Sequence, residues 1–274
     1  MWQAIKADEI CVAKLTVLCY NDAMKTKLIN FRDMGGLDTP YGKIKCGKLF
    51  RTGAFQPKCK ADAEFIDGMH LDAVVDFRTP GEVADKPDRL PKGVEYIPAT
   101  IFEIDAPGIS TTSETKNSVF KMTDEQMASA RDFVEKTYAS MPFSKEYDKI
   151  FALMDEGKTI AFHCTAGKDR TGIAAMLIEL AFGRTFDDAK VGYLASNDHR
   201  AKENKKIDFL LRLLFVKRAN RDFIAEVLTT HERLFEISKR AILDKYPTVS
   251  DFLEKEHDIT PERVKKWIDF YIIK

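Results

Sequence analysis

Short apolar runs bounded by turns fill the first half of the chain, and helical periodicity fills the second. Residues 10–20 and 27–31 read as strand, the second run stopping ahead of Gly35-Gly36. Leu71-Asp-Ala-Val-Val-Asp-Phe77 reads as a short buried strand preceded by a helix near 60–69, and Val94 to Ile97 as a further strand. From Thr123 the period changes. Thr123-x-x-Gln126 is a capping box that opens a helix to about Ala139. Tyr147, Ile150, Phe151 and Met154 then recur at helical spacing on one face, and Gly157 closes that helix. The apolar run Thr159-Ile-Ala-Phe162 leads through a polar loop into Gly172 to Phe182, apolar nearly all round. A helix without a polar face belongs in the middle of a fold. Strand, tight loop and buried helix predict an α/β architecture, with the loop at the carboxyl end of a strand where ligands bind. Beyond residue 185 everything reads as helix. Ile207, Leu210, Leu211 and Leu214 form one stripe; Thr260-Pro261-Glu262 opens a last helix with the stripe Val264, Trp267, Ile268 and Tyr271. These stripes are expected to be core contacts.

Composition narrows the function classes. Of 274 residues 45% are hydrophobic and 31% charged, the profile of an ordinary globular chain. Lys plus Arg and Asp plus Glu both number 43, a net charge of zero that argues against a nucleic-acid coat or a polybasic membrane anchor. No linker divides the chain, which predicts a single domain over 1–274. Charge is unevenly spread, however: residues 200–218 hold seven Lys/Arg against two acids, a local +5. A solvated helix face accounts for that excess most simply, and a basic surface suited to anionic headgroups is the sharper alternative. The five cysteines (Cys11, Cys19, Cys46, Cys59, Cys164) include no C-x-x-C pair, so neither a disulfide framework nor a zinc knuckle is expected. His70, His199, His231 and His257 show no ligand spacing and read as surface or packing residues. Ile10 to Tyr20 is an apolar stretch of 11 residues interrupted by Lys14, too short to span a bilayer and a poor signal peptide. No integral membrane segment and a reducing cytoplasm are therefore the expectation, with signal-less export as the alternative.

The stretch that carries chemistry is His163-Cys164-Thr165-Ala166-Gly167-Lys168-Asp169-Arg170-Thr171-Gly172. A cysteine attacks phosphorus as its thiolate, and an unperturbed thiol near pKa 8.5 is only about 3% ionised at neutral pH. A position between a strand end and a helix N-terminus offers unpaired amides and the helix dipole to that anion. The same amides of Thr165, Ala166, Gly167 and Lys168 can cradle phosphate oxygens. Arg170 supplies a planar fork matched to two of them, which a lysine cannot do. Gly167 permits a positive φ, and Thr171 can hydrogen-bond the sulfur and help it leave. An inert buried cysteine is the bland alternative. A nucleotide-binding Walker loop fails, because Phe162 stands where its first glycine belongs and Asp169 follows Lys168.

These residues resemble the cysteine-dependent tyrosine phosphatases, and among them the bacterial branch with an HCxAGKDRTG loop. Further segments carry the same resemblance: Asn30-Phe-Arg-Asp-Met-Gly-Gly36, Leu49-Phe-Arg-Thr-Gly53, Val75-Asp-Phe-Arg-Thr-Pro80, Tyr193-Leu-Ala-Ser-Asn197, and the tail from Tyr246 through Phe252-Leu-Glu-Lys to Thr260-Pro-Glu. It covers about 28–272 and is weakest over 104–140. The resemblance implies a mainly parallel central sheet flanked by helices, with residues 186–240 a helical insertion able to lid the site. It implies catalysis without metal or other cofactor: Cys164 attacks the monoester, an acid protonates the leaving oxygen, and water hydrolyses the phosphocysteine. Many relatives carry the acid in a Trp-Pro-Asp loop, but Trp2 and Trp267 stand outside such a motif. The candidates are Asp169, inside the loop; Asp76, at the end of the Val-Val strand; and Asp105. Either of the first two could instead be structural, holding Arg170 or Arg78. Lys168 adds positive charge beyond what one phosphotyrosine needs, which brings phosphoinositides in beside phosphoproteins, although it could merely balance Asp169. The expected substrate is thus a phosphorylated protein or a phosphoinositide. An inositol-lipid phosphatase proper and a non-catalytic phosphate-binding module are the alternatives.

Overall fold

The computed structural model describes residues 26–102, 122–213 and 217–274. In chain order the strands are β1 (Arg32–Asp33), β2 (Asp38–Thr39), β3 (Gly42–Ile44), β4 (Leu49–Thr52), β5 (Ala73–Asp76), β6 (Glu95–Pro98), β7 (Ile160–His163) and β8 (Ile272–Ile273). Between and after them run α1 (Lys60–Gly68), α2 (Pro80–Asp85), α3 (Asp124–Ser140), α4 (Asp148–Asp155), α5 (Arg170–Ala181), α6 (Phe186–Leu194) and α7 (Ser196–His199). The remaining helices are α8 (Ala201–Leu213), α9 (Arg218–Leu228), α10 (Glu232–Lys245), α11 (Val249–His257) and α12 (Pro261–Tyr271).

The main sheet has the order β1-β4-β7-β5-β6, parallel from β4 to β6, with β1 added antiparallel at one edge. A small antiparallel sheet, β2-β3-β8, joins the last residues to the first hairpin. Parallel strands need both faces covered, and alternation along these strands shows how. Leu49, Ala73, Val75, Ile160 and Phe162 face the large helical layer around α4, α5 and α12. Phe50, Val74 and Ala161 face the smaller layer of Leu28, Phe31, Phe65 and Ile66. The helix α5 is buried along all 12 of its residues, as its lack of a polar face requires.

Two readings of the hydrophobic pattern change on folding. Residues 27–31 form a turn, in which Asn30 takes φ 55°, and the strand proper is Arg32–Asp33. The apolar character of Leu28 and Phe31 reflects anchoring against Phe65, not sheet alternation. In α8, Leu211 is buried and Ile207 packs beside it against Met127, Phe223 and Ile224, but Leu210 is half exposed. The strand expected over 10–20, Asp105 and Leu214 lie outside the described residues. Of residues 186–240, α6 and α10 pack into the main core through Phe186, Tyr193, Leu234 and Phe235, whereas α8 and α9 share a separate cluster with the start of α3. Cys46 is disulfide-bonded, one exception to the expected absence of a disulfide framework. No helix among the described residues is long and apolar enough to cross a membrane.

Candidate active site

Sheet register assembles the site. His163, last residue of β7, is paired with Thr52 of β4 on one side and Asp76 of β5 on the other, so three strands end at one edge. The chain leaves β7 at Cys164, loops through Thr165–Asp169 and enters α5 at Arg170. The loop passes so close to β4 that Gly167, at φ 68°, has no room for a Cβ: one would lie 2.5 Å from the Thr52 carbonyl.

Residues far off in sequence hold the loop by its carbonyls. The Gly167 carbonyl accepts from Asn30 Nδ2 at 2.7 Å and from Arg51 Nη2 at 3.3 Å. The Ala166 carbonyl accepts from Asn30 Nδ2 at 3.4 Å, and the Thr165 carbonyl from the Ala54 amide at 3.3 Å. Arg32 in turn donates to the Asn30 Oδ1 and to Ser196, fixing the asparagine amide. A trans peptide places each N–H opposite its C=O. Carbonyls tethered on the outside of the loop therefore turn the amides of Ala166, Gly167 and Lys168 toward its inside. Among the described residues, the amides of Thr165 through Asp169 find no acceptor. This is an anion cradle continued into the N-terminus of a 12-residue helix.

Cys164 is 1% exposed beneath that cradle. Burial pushes its thiol up, but the Arg170 guanidinium and the Thr171 hydroxyl and amide outweigh burial and leave it below its ordinary value. The Thr171 Oγ1 is buried without a hydrogen-bond partner in the resting site, and it is one of the groups that lower the thiol. Arg170 is locked by Glu82 of α2: Nη1 donates to Oε2 at 2.7 Å and Nη2 to Oε1 at 3.0 Å. Oε1 also accepts from the Thr165 hydroxyl at 2.6 Å. Burial raises the Glu82 carboxyl, yet Arg170 and these hydrogen bonds hold it at about 2. Glu82 is placed by a capping box: the Thr79 hydroxyl accepts from the Glu82 amide, and the Glu82 carboxylate accepts from the Thr79 amide.

The two aspartates occupy different environments. The Asp76 side chain is fully buried, its carboxylate gripped by Arg78 Nε at 2.9 Å and Nη2 at 2.6 Å and accepting from the Tyr96 hydroxyl at 2.8 Å. Burial raises that carboxyl, but His163 and Arg78 bring it down to about 2. Asp88 and His163 complete the cluster, with Arg78 Nη2 bridging both carboxylates, so its acidic oxygens serve a guanidinium. The His163 ring is pushed down by burial and up, with net effect upward, by Asp76 and Asp88. Asp169 is instead 23% exposed in its side chain. It accepts from the Tyr138 hydroxyl, itself linked to the Tyr193 hydroxyl at 2.9 Å, and pairs with Lys168 Nζ at 2.7 Å.

Lys168 is nearly buried. Its ammonium, lowered by burial and raised less by Asp169, points to Asp169 and to the Thr229 carbonyl at 3.4 Å. The adjoining Leu228 carbonyl accepts from Arg200 Nη1 at 2.8 Å, and the end of α9 thereby sits over the loop. The cavity remaining beside Lys168, Asp169 and Tyr138 is about 30 Å³, room for about one water.

Of the residues expected from sequence, Cys164, Thr165, Ala166, Gly167, Lys168, Asp169, Arg170 and Thr171 are brought together in one loop and helix start. Asp76 lies behind it with Arg78. Sequence reasoning missed Glu82, Tyr138, Asp88 and the roles of Asn30 and Arg51. Only Glu82 left a readable trace, the Thr79-Pro-Gly-Glu82 cap.

The comparisons agree with this geometry. A family model for the tyrosine phosphatase family matches residues 24–272. The chain is similar to a Cupriavidus necator protein bearing a tyrosine-protein phosphatase name, 31% identical over 227 residues, 82% of this chain and 80% of that protein. It is also similar to the triple specificity protein phosphatase PtpB of Mycobacterium tuberculosis, 26% identical over 218 residues, 73% of this chain and 76% of that one. A tyrosine-protein phosphatase of Nostoc commune is 32% identical over 144 residues, 50% of this chain and 45% of that protein.

Proposed function

We propose, from the membership of this chain in the tyrosine phosphatase family, how its phosphatase activity is carried out and on what. The observation that carries the mechanism is the loop with its carbonyls tethered outward and its amides free, wrapped around a thiol that Arg170 and Thr171 favour as thiolate. The Cys164 sulfur attacks phosphorus while the ester P–O bond breaks, and Asp169 delivers a proton to the departing oxygen. Arg170 and the loop amides hold the three equatorial oxygens as charge redistributes, a preorganised field that needs no rearrangement at the moment of reaction. Asp169, now carboxylate, takes a proton from water; the water oxygen bonds phosphorus, and the sulfur departs as thiolate to the Thr171 hydroxyl. Asp169 is assigned as the acid because it lies within the loop and is partly exposed, whereas Asp76 is fully buried and committed to Arg78, Tyr96 and His163. Asp76 is a positioning residue.

The substrate is a phosphotyrosine side chain, with phosphoinositides as a second class. Supporting the second are the loop lysine and the basic run at 200–218; PtpB, a relative by sequence, is named for triple specificity. The part of 186–240 that acts as a lid is α8 and α9, since those helices alone of that segment have their own apolar cluster. They shift to admit an aryl phosphate to the loop, because the Leu228 and Thr229 carbonyls at the end of α9 hold Arg200 and Lys168. The test is phosphate release from a phosphotyrosine peptide and a phosphoinositide panel by wild type and Cys164→Ser. Turnover by wild type alone is expected; phosphate-analogue binding without turnover of either class would leave a binding module.

A further inference from the structure

The basic, amphipathic helix α8 has an outer face that the catalytic account does not use. Its inner face is set by Asn204, Ile207 and Leu211, which point to Leu228 and to the small cluster with Phe223 and Ile224. Opposite them, at spacings of four, three and four residues, stand Lys202, Lys206, Phe209 and Leu213, all exposed. Phe209 is 69% and Leu213 60% exposed, and the neighbouring Leu210 is 50% exposed. Three large apolar side chains of one helix are thus held in water within five residues, an arrangement that isolated surface leucines do not explain. At the other end of the stripe, Lys202 and Lys206, with Lys205 beside them, form no salt bridge among the described residues. Arg212 pairs within the helix with Asp208 at 2.9 Å. One face therefore presents unpaired ammonium groups and, one turn on, bare phenyl and isobutyl groups.

We infer that α8 docks this face onto an anionic lipid surface, with Phe209, Leu210 and Leu213 entering the headgroup–acyl boundary and Lys202, Lys205 and Lys206 meeting lipid phosphates. The charge selects the occupant: a protein groove would cover the apolar tip, but a run of free lysines beside it complements a negatively charged bilayer. Docking also has a consequence for the site. Arg200 and Asn204, at the root of α8, both hold the Leu228 carbonyl, and the next carbonyl, Thr229, holds Lys168 of the catalytic loop. The helix that rests on the membrane is the one whose base closes over the loop. This deepens the phosphatase reading by placing its substrates at a membrane, although vesicle binding itself does not depend on catalysis.

The experiment is co-sedimentation of the full chain with vesicles of phosphatidylcholine alone or mixed with phosphatidylserine, together with hydrolysis of a soluble phosphotyrosine peptide. Wild type is expected to pellet with the phosphatidylserine vesicles and to be released by salt. Phe209→Glu/Leu213→Glu reduces the bound fraction about tenfold or more, and Lys202→Glu/Lys206→Glu does so in the anionic vesicles. Far-UV circular dichroism and a melting temperature matching wild type show that both variants are folded. Equal binding by wild type and the Phe209/Leu213 pair overturns the inference. So does failure of wild type to bind while light scattering shows a dimer that the same pair dissolves, since the face then belongs to a second copy. Loss of peptide hydrolysis with vesicle binding intact would instead count against the phosphatase reading alone.

Discussion

Around Cys164 each neighbour has a separate, measurable task. Thr171 shifts the thiol toward thiolate, so Thr171→Ala should slow alkylation of Cys164 at mildly acid pH and lower kcat/KM about tenfold; an unchanged alkylation profile would show that the hydroxyl does not serve the sulfur. Glu82 acts on Arg170, not on substrate. In Glu82→Gln the guanidinium loses its fixed fork, so the plateau of kcat/KM should fall about tenfold to a hundredfold. Because a negative charge near the thiol is removed, the acid limb should stay in place or move to lower pH. A limb that moved upward would contradict that assignment. The aspartates separate in the same kind of experiment: Asp169→Asn should remove the basic limb of the pH profile with the fold intact. Asp76→Asn should keep the limb and lose about 2–3 kcal/mol of stability, read by urea unfolding, because it strips the buried Arg78 guanidinium of one of its two carboxylates. Cys164, Asp169 and Arg170 were legible because they share one short stretch. Glu82 lies 88 residues from Arg170 and Tyr138 lies 31 from Asp169, distances over which a single sequence carries no pairing signal.

At the scale of elements, the strand–loop–buried helix unit followed directly from the apolar run before His163 and the absence of a polar face in α5. The caps at Thr123 and Thr260 are likewise where local chemistry places them. Residues 27–31 misled because apolar side chains that anchor a turn have the same composition as an edge strand; the positive φ of Asn30 is what breaks it. That turn matters for catalysis, since it delivers Asn30 to the loop carbonyls. Asn30→Leu, close in volume but unable to donate, should lower kcat through mispositioned amides while the affinity of the thiolate for alkylating agents changes little. Gly167→Ala should be more severe, because its Cβ has no room against β4 and the backbone is left-handed there. Loss of phosphate-analogue binding in that variant, by calorimetry, is the expected outcome. The stripe in α8 was half legible: its period was right, but the exposed phase through Phe209 and Leu213 has no counterpart in a pattern that equates apolar with buried.

For the molecule as a whole, a zero net charge conceals strong local imbalance. Buried acids and bases are gathered behind the loop, where His163 and Arg78 hold Asp76, and Arg170 holds Glu82, near 2. The sign of their effect on stability follows. Each carboxyl is depressed on folding, so its contribution is complete above the unfolded value and is lost as pH falls through the folded one. For Glu82 that window runs from 4.5 down to about 2, and the contribution is about 3 kcal/mol. The urea midpoint should therefore decline steeply across this window, and the decline should be shallower in Glu82→Gln. On the proposed reading, the same concentration of charge lets a neutral chain bind an anion through one loop and one helix face, not its whole surface. The direct test of the account is capture of the covalent intermediate, by acid quench during turnover of a phosphotyrosine peptide and mass analysis of proteolytic fragments. One phosphoryl group on the fragment holding Cys164, absent in Cys164→Ser, is the predicted result; a phosphoryl group on another residue, or undiminished hydrolysis by Cys164→Ser, would contradict it.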